Sequence, residues 1–94
     1  YEGARILDAF RRTLIEPNAT FNVGLIAGGT PAAIDASGAN ATASGKTNIV
    51  PSTLIARGDL RTLTPEQDRK LRDGMARIVA DHLPGTDASL DVYD

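Results

Sequence analysis

Thr47-Asn48-Ile49-Val50-Pro51-Ser52-Thr53-Leu54-Ile55-Ala56-Arg57-Gly58-Asp59-Leu60-Arg61 joins an Asn-x-x-Pro turn to a segment that ends in an Asp-x-Arg pair. From Ile49 to Arg61 the spacing predicts a strand. Leu54, Ala56, Gly58 and Leu60 fall on one face, while Thr53, Ile55, Arg57, Asp59 and Arg61 fall on the other, so the charges take the open side. Directly behind it, Thr64-Pro65-Glu66-Gln67 fits a T-x-x-Q capping box with proline at the first helical position, which satisfies amides a helix start leaves without partners. The helix that follows sets Leu71, Met75, Ile78, Val79 and Leu83 on one stripe and is expected to stop at Pro84-Gly85. Ala88, Leu90 and Val92, alternating with Ser89, Asp91 and Tyr93, predict a last short strand.

Upstream, Ile6, Leu7, Phe10, Leu14 and Ile15 recur at three- and four-residue spacing opposite Arg5, Asp8, Arg11 and Arg12, which predicts an amphipathic helix from Glu2 to Ile15. Glu16-Pro17-Asn18 ends it, because proline donates no N–H and disfavours helix in the residue before it. From Thr20 to Ala27 the apolar Phe21, Val23 and Leu25 alternate with Asn22 and Gly24, the period of a strand with one face buried. The double glycine Gly28-Gly29 is expected to close that strand. The run Thr30 to Lys46 is Ala, Ser, Gly, Thr and Asn with Ile34 as its one large apolar residue, and reads as a long loop.

Helix, strand, strand, helix, strand is a βαββαβ ferredoxin-like unit without its first strand. The expected fold class is therefore α+β, one domain over residues 1–94, with an antiparallel sheet and two helices on one face. In that topology the strand order is 4-1-3-2, so the missing first strand leaves the last one without its neighbour. The strand Thr20 to Ala27 lies on the sheet edge and carries no Lys, Glu, Asp or Pro to block pairing. It is expected to pair antiparallel with its own copy across a two-fold axis, with the helix Glu2 to Ile15 beside its copy.

Composition narrows the function classes. Lys plus Arg number 10 against 12 Asp plus Glu, a net charge of -2, so no basic field exists to gather phosphates. Two Phe, two Tyr and no Trp offer no stacking platform for single strands. Nucleic acid is excluded as the expected partner. Without cysteine there is neither a disulfide framework nor a thiolate metal site, and cysteine usage leaves the compartment open between cytoplasm and periplasm. No apolar run approaches the roughly 20 residues of a membrane helix. The start Tyr1-Glu2-Gly3-Ala4-Arg5 is neither an initiator Met nor a signal peptide, and the chain reads as part of a longer protein.

Several motifs carry bland readings. Gly45-Lys46-Thr47 resembles the tail of a phosphate-binding loop, but the required glycine position holds Asn40, and a strand follows where that cradle needs a helix N-terminus. His82, the one histidine, lies near the end of the second helix with no ligand pattern around it. Asn18-Ala19-Thr20 and Asn40-Ala41-Thr42 match the glycosylation sequon by chance composition. On composition alone Asn48 is a turn asparagine and Arg61 a partner of Asp59 or of a helix end.

Taken with Asn22-Val23-Gly24-Leu25-Ile26-Ala27-Gly28-Gly29, the Asn-x-x-Pro turn and the Asp-x-Arg pair resemble the inserted dimerisation (lid) domain of the co-catalytic zinc exopeptidases. That family includes glutamate carboxypeptidase, aminoacylase and succinyl-diaminopimelate desuccinylase, and the resemblance runs from Tyr1 to Tyr93. It implies a parent zinc metallopeptidase or amidohydrolase, a hydrolase of peptide or amide bonds, whose zinc ions and catalytic residues belong to another domain. This chain then contributes no catalytic residue and no metal ligand. The resemblance assigns substrate contact to Asn48 and Arg61, an arginine fork being suited to a carboxylate. The unblocked sheet edge, an argument independent of the family, places a homodimer interface on Thr20, Phe21, Asn22, Val23, Gly24, Leu25 and Ile26 of the edge strand and on Leu7, Phe10, Arg11 and Leu14 of the first helix. The implied partners are the parent's catalytic domain and a small peptide or N-acyl amino acid. A lid histidine of the family precedes Tyr1 in position, so His82 does not inherit its role. Thr30 to Thr47 intervene where the family often has few residues, which leaves subfamily and substrate open. The alternative from another class is a free-standing ferredoxin-like regulatory domain that binds a small molecule at the Gly-rich segment 28–45.

Overall fold

The computed structural model describes residues 1–92; Tyr93, the end of the expected last strand, lies outside them, as does Asp94. The elements are α1 (Glu2–Thr13), β1 (Thr20–Gly29), β2 (Ala32–Ile34), β3 (Ala41–Ala43), β4 (Thr53–Arg61) and α2 (Pro65–Ala80). Two helices with a small antiparallel sheet give the α+β class and the element order of the ferredoxin-like unit. The chain forms two compact units, Tyr1–Thr20 with Arg61–Asp94, and Phe21–Leu60.

The first unit is built on the helices. In α1, Glu2 sits in the first turn and Arg11 and Arg12 in the last, the arrangement the helix dipole favours. Asp8 accepts from Arg11 Nη2 at 2.9 Å and from Arg12 Nε at 2.8 Å, one turn away. At the start of α2 the expected cap is present: Thr64 Oγ1 accepts from Gln67 N at 3.1 Å, with Pro65 opening the helix. The Gln67 side chain reaches further than a capping box requires. Its Oε1 accepts from Leu63 N at 2.9 Å and its Nε2 donates to Pro17 O at 2.7 Å, so one amide fixes both the entry to α2 and the exit from α1. Lys70 adds an ion pair to Glu16. Leu14 lies over Gly74, where a Cβ would stand 2.6 Å from Leu14 Cδ2. The buried apolar side chains among the described residues are Phe10, Leu71, Met75 and Val79, all on the two helices.

Three expectations change here. Helix α1 ends at Thr13, two residues before Ile15, with Leu14 N donating to Phe10 O at 3.1 Å as its cap. Helix α2 ends at Ala80, short of Pro84, and this leaves Leu83 outside the stripe and 49% exposed. Arg5 Nη2 donates to Asp81 O at 2.9 Å and Glu2 Oε1 accepts from Leu83 N at 3.3 Å, so these backbone groups turn to α1 instead of continuing the helix. No strand forms over Ala88 to Val92 among the described residues. A strand persists only against a hydrogen-bonding neighbour, and among the described residues no strand lies beside this segment.

In the second unit β1 and β4 are hydrogen-bonded neighbours, the adjacency expected of the second and third strands of the 4-1-3-2 order. Gly28 faces Thr53 O at 3.6 Å from its would-be Cβ, while Gly58 faces Asn22 at the other end, so the two strands run antiparallel. Along β1 the half-buried Phe21, Val23, Leu25 and Ala27 alternate with exposed neighbours, the pattern its sequence predicts. The double glycine belongs to β1 instead of closing it, and at Gly29 a Cβ would collide with the Ser44 carbonyl. The β4 ladder starts at Thr53, not Ile49: Ile49 N donates to Lys46 O at 3.2 Å in a turn, and Ser52 N donates to Thr30 Oγ1 at 2.9 Å.

The expected long loop is a hairpin. Strands β2 and β3 pair with Ala32 opposite Ala43, Ala33 opposite Thr42 and Ile34 opposite Ala41. Its order comes from polar turn chemistry instead of a core. Asp35 Oδ1 accepts from Ser37 Oγ at 2.6 Å and Gly38 N at 3.1 Å, and Oδ2 accepts from Asn40 Nδ2 at 3.0 Å. Gly38 takes φ +73°, open to glycine and costly to other residues. At the base, Thr30 N donates to Ser44 O at 2.7 Å and Ser44 N to Pro31 O at 3.1 Å.

Candidate functional site

Asn48 is a central residue of the turn closed by the Ile49 N to Lys46 O bond, so its exposed amide stands at a tight bend. Pro51 disfavours helix at Val50, the residue before it, and β4 begins two residues later at Thr53. Arg61 is the last residue of β4 and is exposed. The nine residues of β4 cover about 30 Å at roughly 3.3 Å per residue. Asn48 precedes the first of these residues and Arg61 is the last, so one strand does not gather the pair at one end. Asp59 and Arg57 also lie exposed on β4, and each has interaction partners within the chain.

A pocket of about 450 Å³ opens where the glycine end of β1 meets the residues after β3, with Gly28, Thr30, Lys46, Thr47, Ile49 and Pro51 among its walls. A smaller hollow of about 290 Å³ lies beside Asn22, Leu25, Gly38, Arg57 and Asp59. Around the first pocket Ile49 and Val50 are large apolar residues left 51% and 87% exposed, an arrangement that favours a further surface against them. Two sequence features point to this pocket: the Gly-rich segment 28–45 of the alternative reading, and Gly45-Lys46-Thr47, which lacks the helix N-terminus of a phosphate cradle.

The remaining candidates resolve locally. Asn40 of the second sequon is tied to Asp35, and Asn18 of the first adopts φ +63° in the turn before β1. His82 follows α2, with Nδ1 3.2 Å from Leu83 O and 3.3 Å from Thr86 Oγ1. Among the described residues no three His, Cys, Asp or Glu side chains gather where a metal ion could be held, so these residues do not fit a zinc centre. No helix is long and apolar enough to cross a membrane.

The outer edge of β1, away from β4, carries no strand among the described residues. Leu7 of α1 and Leu14, its C-cap, are half-buried and Arg11 is exposed, whereas Phe10 is buried at 6% exposure.

A family model described as the peptidase dimerisation domain matches residues 1–87, nearly the whole chain. No curated protein and no solved structure gives a significant match.

Proposed function

The chain belongs to the peptidase dimerisation domain family, and from that premise we propose that it both pairs two copies of a zinc-dependent metallopeptidase or amidohydrolase and caps their substrate. The observation that carries the pairing is the outer edge of β1, which no strand covers among the described residues and which is ten residues long without Lys, Glu, Asp or Pro. Two such edges joined antiparallel across a two-fold axis satisfy each other's backbone groups and merge two small sheets into one. Thr20 to Ile26 form the strand side of this interface. Leu7, Arg11 and Leu14 supply the helix side, and Phe10 supports that helix from within.

The capping half of the proposal assigns substrate contact to Asn48 and Arg61. Since β4 separates them, a small substrate that touches both meets Asn48 of one lid and Arg61 of the other. Arg61 suits a carboxylate, which accepts two parallel charge-assisted hydrogen bonds from a guanidinium. The zinc of such an enzyme, which polarises the scissile carbonyl and supplies a hydroxide, belongs with ligands outside this chain.

Sedimentation of the chain tests the pairing. Wild type is expected to run as a dimer, and Val23→Lys and Gly24→Pro as monomers that keep the wild-type circular dichroism. A dimer that survives both substitutions removes the edge-pairing proposal.

A further inference from the structure

We propose that Thr30 is the positioning residue for Asn48, its hydroxyl holding the turn on which Asn48 stands. Thr30 meets the chain on both sides of that turn. Its N donates to Ser44 O at 2.7 Å, before the turn begins, and its Oγ1 accepts from Ser52 N at 2.9 Å, after the chain has passed Pro51. One residue therefore closes the segment 45–51 at both necks. Within that segment Ile49 N donates to Lys46 O at 3.2 Å, so Asn48 stands on a closed bend whose base is tied to the end of β1.

The anchor is itself held. Gly29, the last residue of β1, is buried, and the chain returning from β3 lies so close that a Cβ there would meet Ser44 O. Ser44 N donates to Pro31 O at 3.1 Å, so the hairpin leaves and returns at one point. Its residues add length between Gly29 and Asn48 without adding slack. The two bonds at this neck join backbone groups and need no particular side chain. The bond to Ser52 N does need one, and valine at position 30 has no acceptor to offer it. Ser52 Oγ lies 3.5 Å from Gly29 O, too long to hold the segment by itself. Calling Asn48 a substrate contact rests on the capping proposal; the clamp on its turn does not.

The test pairs Thr30→Val, which keeps the branched shape and the backbone bond to Ser44, with Thr30→Ser, which keeps the hydroxyl. Because Thr30 is exposed, neither change threatens the fold. In the chain itself, amide exchange at Ser52 is expected to quicken about fivefold in Thr30→Val, the worth of one neutral hydrogen bond, and to stay near wild type in Thr30→Ser. In the parent enzyme, assayed on whichever dipeptide or N-acyl amino acid the wild type cleaves fastest, Thr30→Val is expected to lower kcat/KM about fivefold while Thr30→Ser retains it. Added to Asn48→Ala, Thr30→Val should cost less than about twofold more, because it acts through Asn48, whereas a general loss of structure would multiply in full. Unchanged Ser52 exchange in Thr30→Val, an equal loss in Thr30→Ser, or full multiplication in the double variant each overturns the proposal. If Asn48→Ala itself leaves kcat/KM unchanged, the capping proposal falls, and the Ser52 exchange result alone decides the clamp.

Discussion

Gly38 lies against the guanidinium of Arg57, so closely that a Cβ at position 38 would overlap Nη1 and Cζ. The tip of the β2–β3 hairpin thereby lies on the end of a flexible β4 side chain, and it is the φ of +73° at Gly38 that favours glycine. Replacing Gly38 with Ala is expected to cost about 1–2 kcal/mol from the backbone conformation, the Arg57 guanidinium being able to move off a Cβ. Hydrogen exchange should show the loss concentrated in Ala39 to Ala43. Uniform destabilisation that leaves the hairpin amides as protected as before would mean that Arg57 does not anchor the tip.

Gly74 tests the helix pair. Alanine there gains about 1 kcal/mol of helix propensity over glycine, against its overlap with Leu14 Cδ2 at 2.6 Å. Gly74→Ala is expected to change stability by less than about 1 kcal/mol in wild type and to stabilise by about that amount in a Leu14→Ala background. Denaturant unfolding of the four proteins measures the coupling. If the cycle is additive, Leu14 does not pack over Gly74.

Gln67 ties two backbone sites with its side chain, Leu63 N and Pro17 O, and the Thr64 hydroxyl with its own amide. Gln67→Ala is expected to lose about 1–2 kcal/mol, and Thr64→Ala about 1 kcal/mol, by chemical denaturation. The double variant should lose less than the two combined, because both changes release the same helix start. Gln67→Glu keeps the acceptor for Leu63 N but not the donor to Pro17 O, so it should fall between wild type and alanine.

Three carboxyls link stability to pH. The Arg5 guanidinium holds Glu2 below its ordinary value, with Leu83 N helping against partial desolvation. Arg12 and then Arg11 do the same for Asp8, whereas Asp35 is lowered by hydrogen bonds from Ser37 and Asn40. Each folded value lies below the unfolded one near ~4, so the stability they contribute is full above that pH and is lost as pH falls through the folded values. Thermal melts are expected to be flat from neutral pH down to about 5 and to fall below about 4. At about 1 M salt the Asp8 share should shrink while the Asp35 share persists, because only the former depends on exposed ion pairs. An Asp35→Asn protein with an unchanged acid limb would remove Asp35 from this account.

The proposed sharing of one substrate by Asn48 and Arg61 has a complementation test in the parent enzyme. Asn48→Ala and Arg61→Ala subunits are each expected to lose most activity. A mixed dimer places both lesions at one pocket and neither at the other, so turnover should recover towards about half of wild type per mixed dimer. A mixture as inactive as its parents, with subunit exchange confirmed by mass, shows that the two residues do not act across the dimer.

What the sequence determined by itself is what adjacent residues decide. The helix faces, the Thr64 cap and the alternation of β1 follow from periodicity and from hydrogen bonds spanning three or four positions, so they are legible without a fold. Asn48 is legible as a turn residue for the same reason. The Asp35-Ala36-Ser37-Gly38 turn was also written locally, as an aspartate able to bind the amides after it, but the lack of apolar residues around it reads as a loop unless side-chain acceptors are counted. The close of α2, the start of β4 and the fate of Ala88 to Val92 depended on partners far along the chain: Arg5 with Asp81, Ser52 with Thr30, and a strand that is not there. The same holds for the Lys46 pocket. Its walls come from Gly28 to Thr30 and from Ala43 to Pro51, and only the folding back of the hairpin brings them together. Hydrogen bonding and burial between distant segments leave no period in the sequence, and for that reason tertiary structure alone decides them.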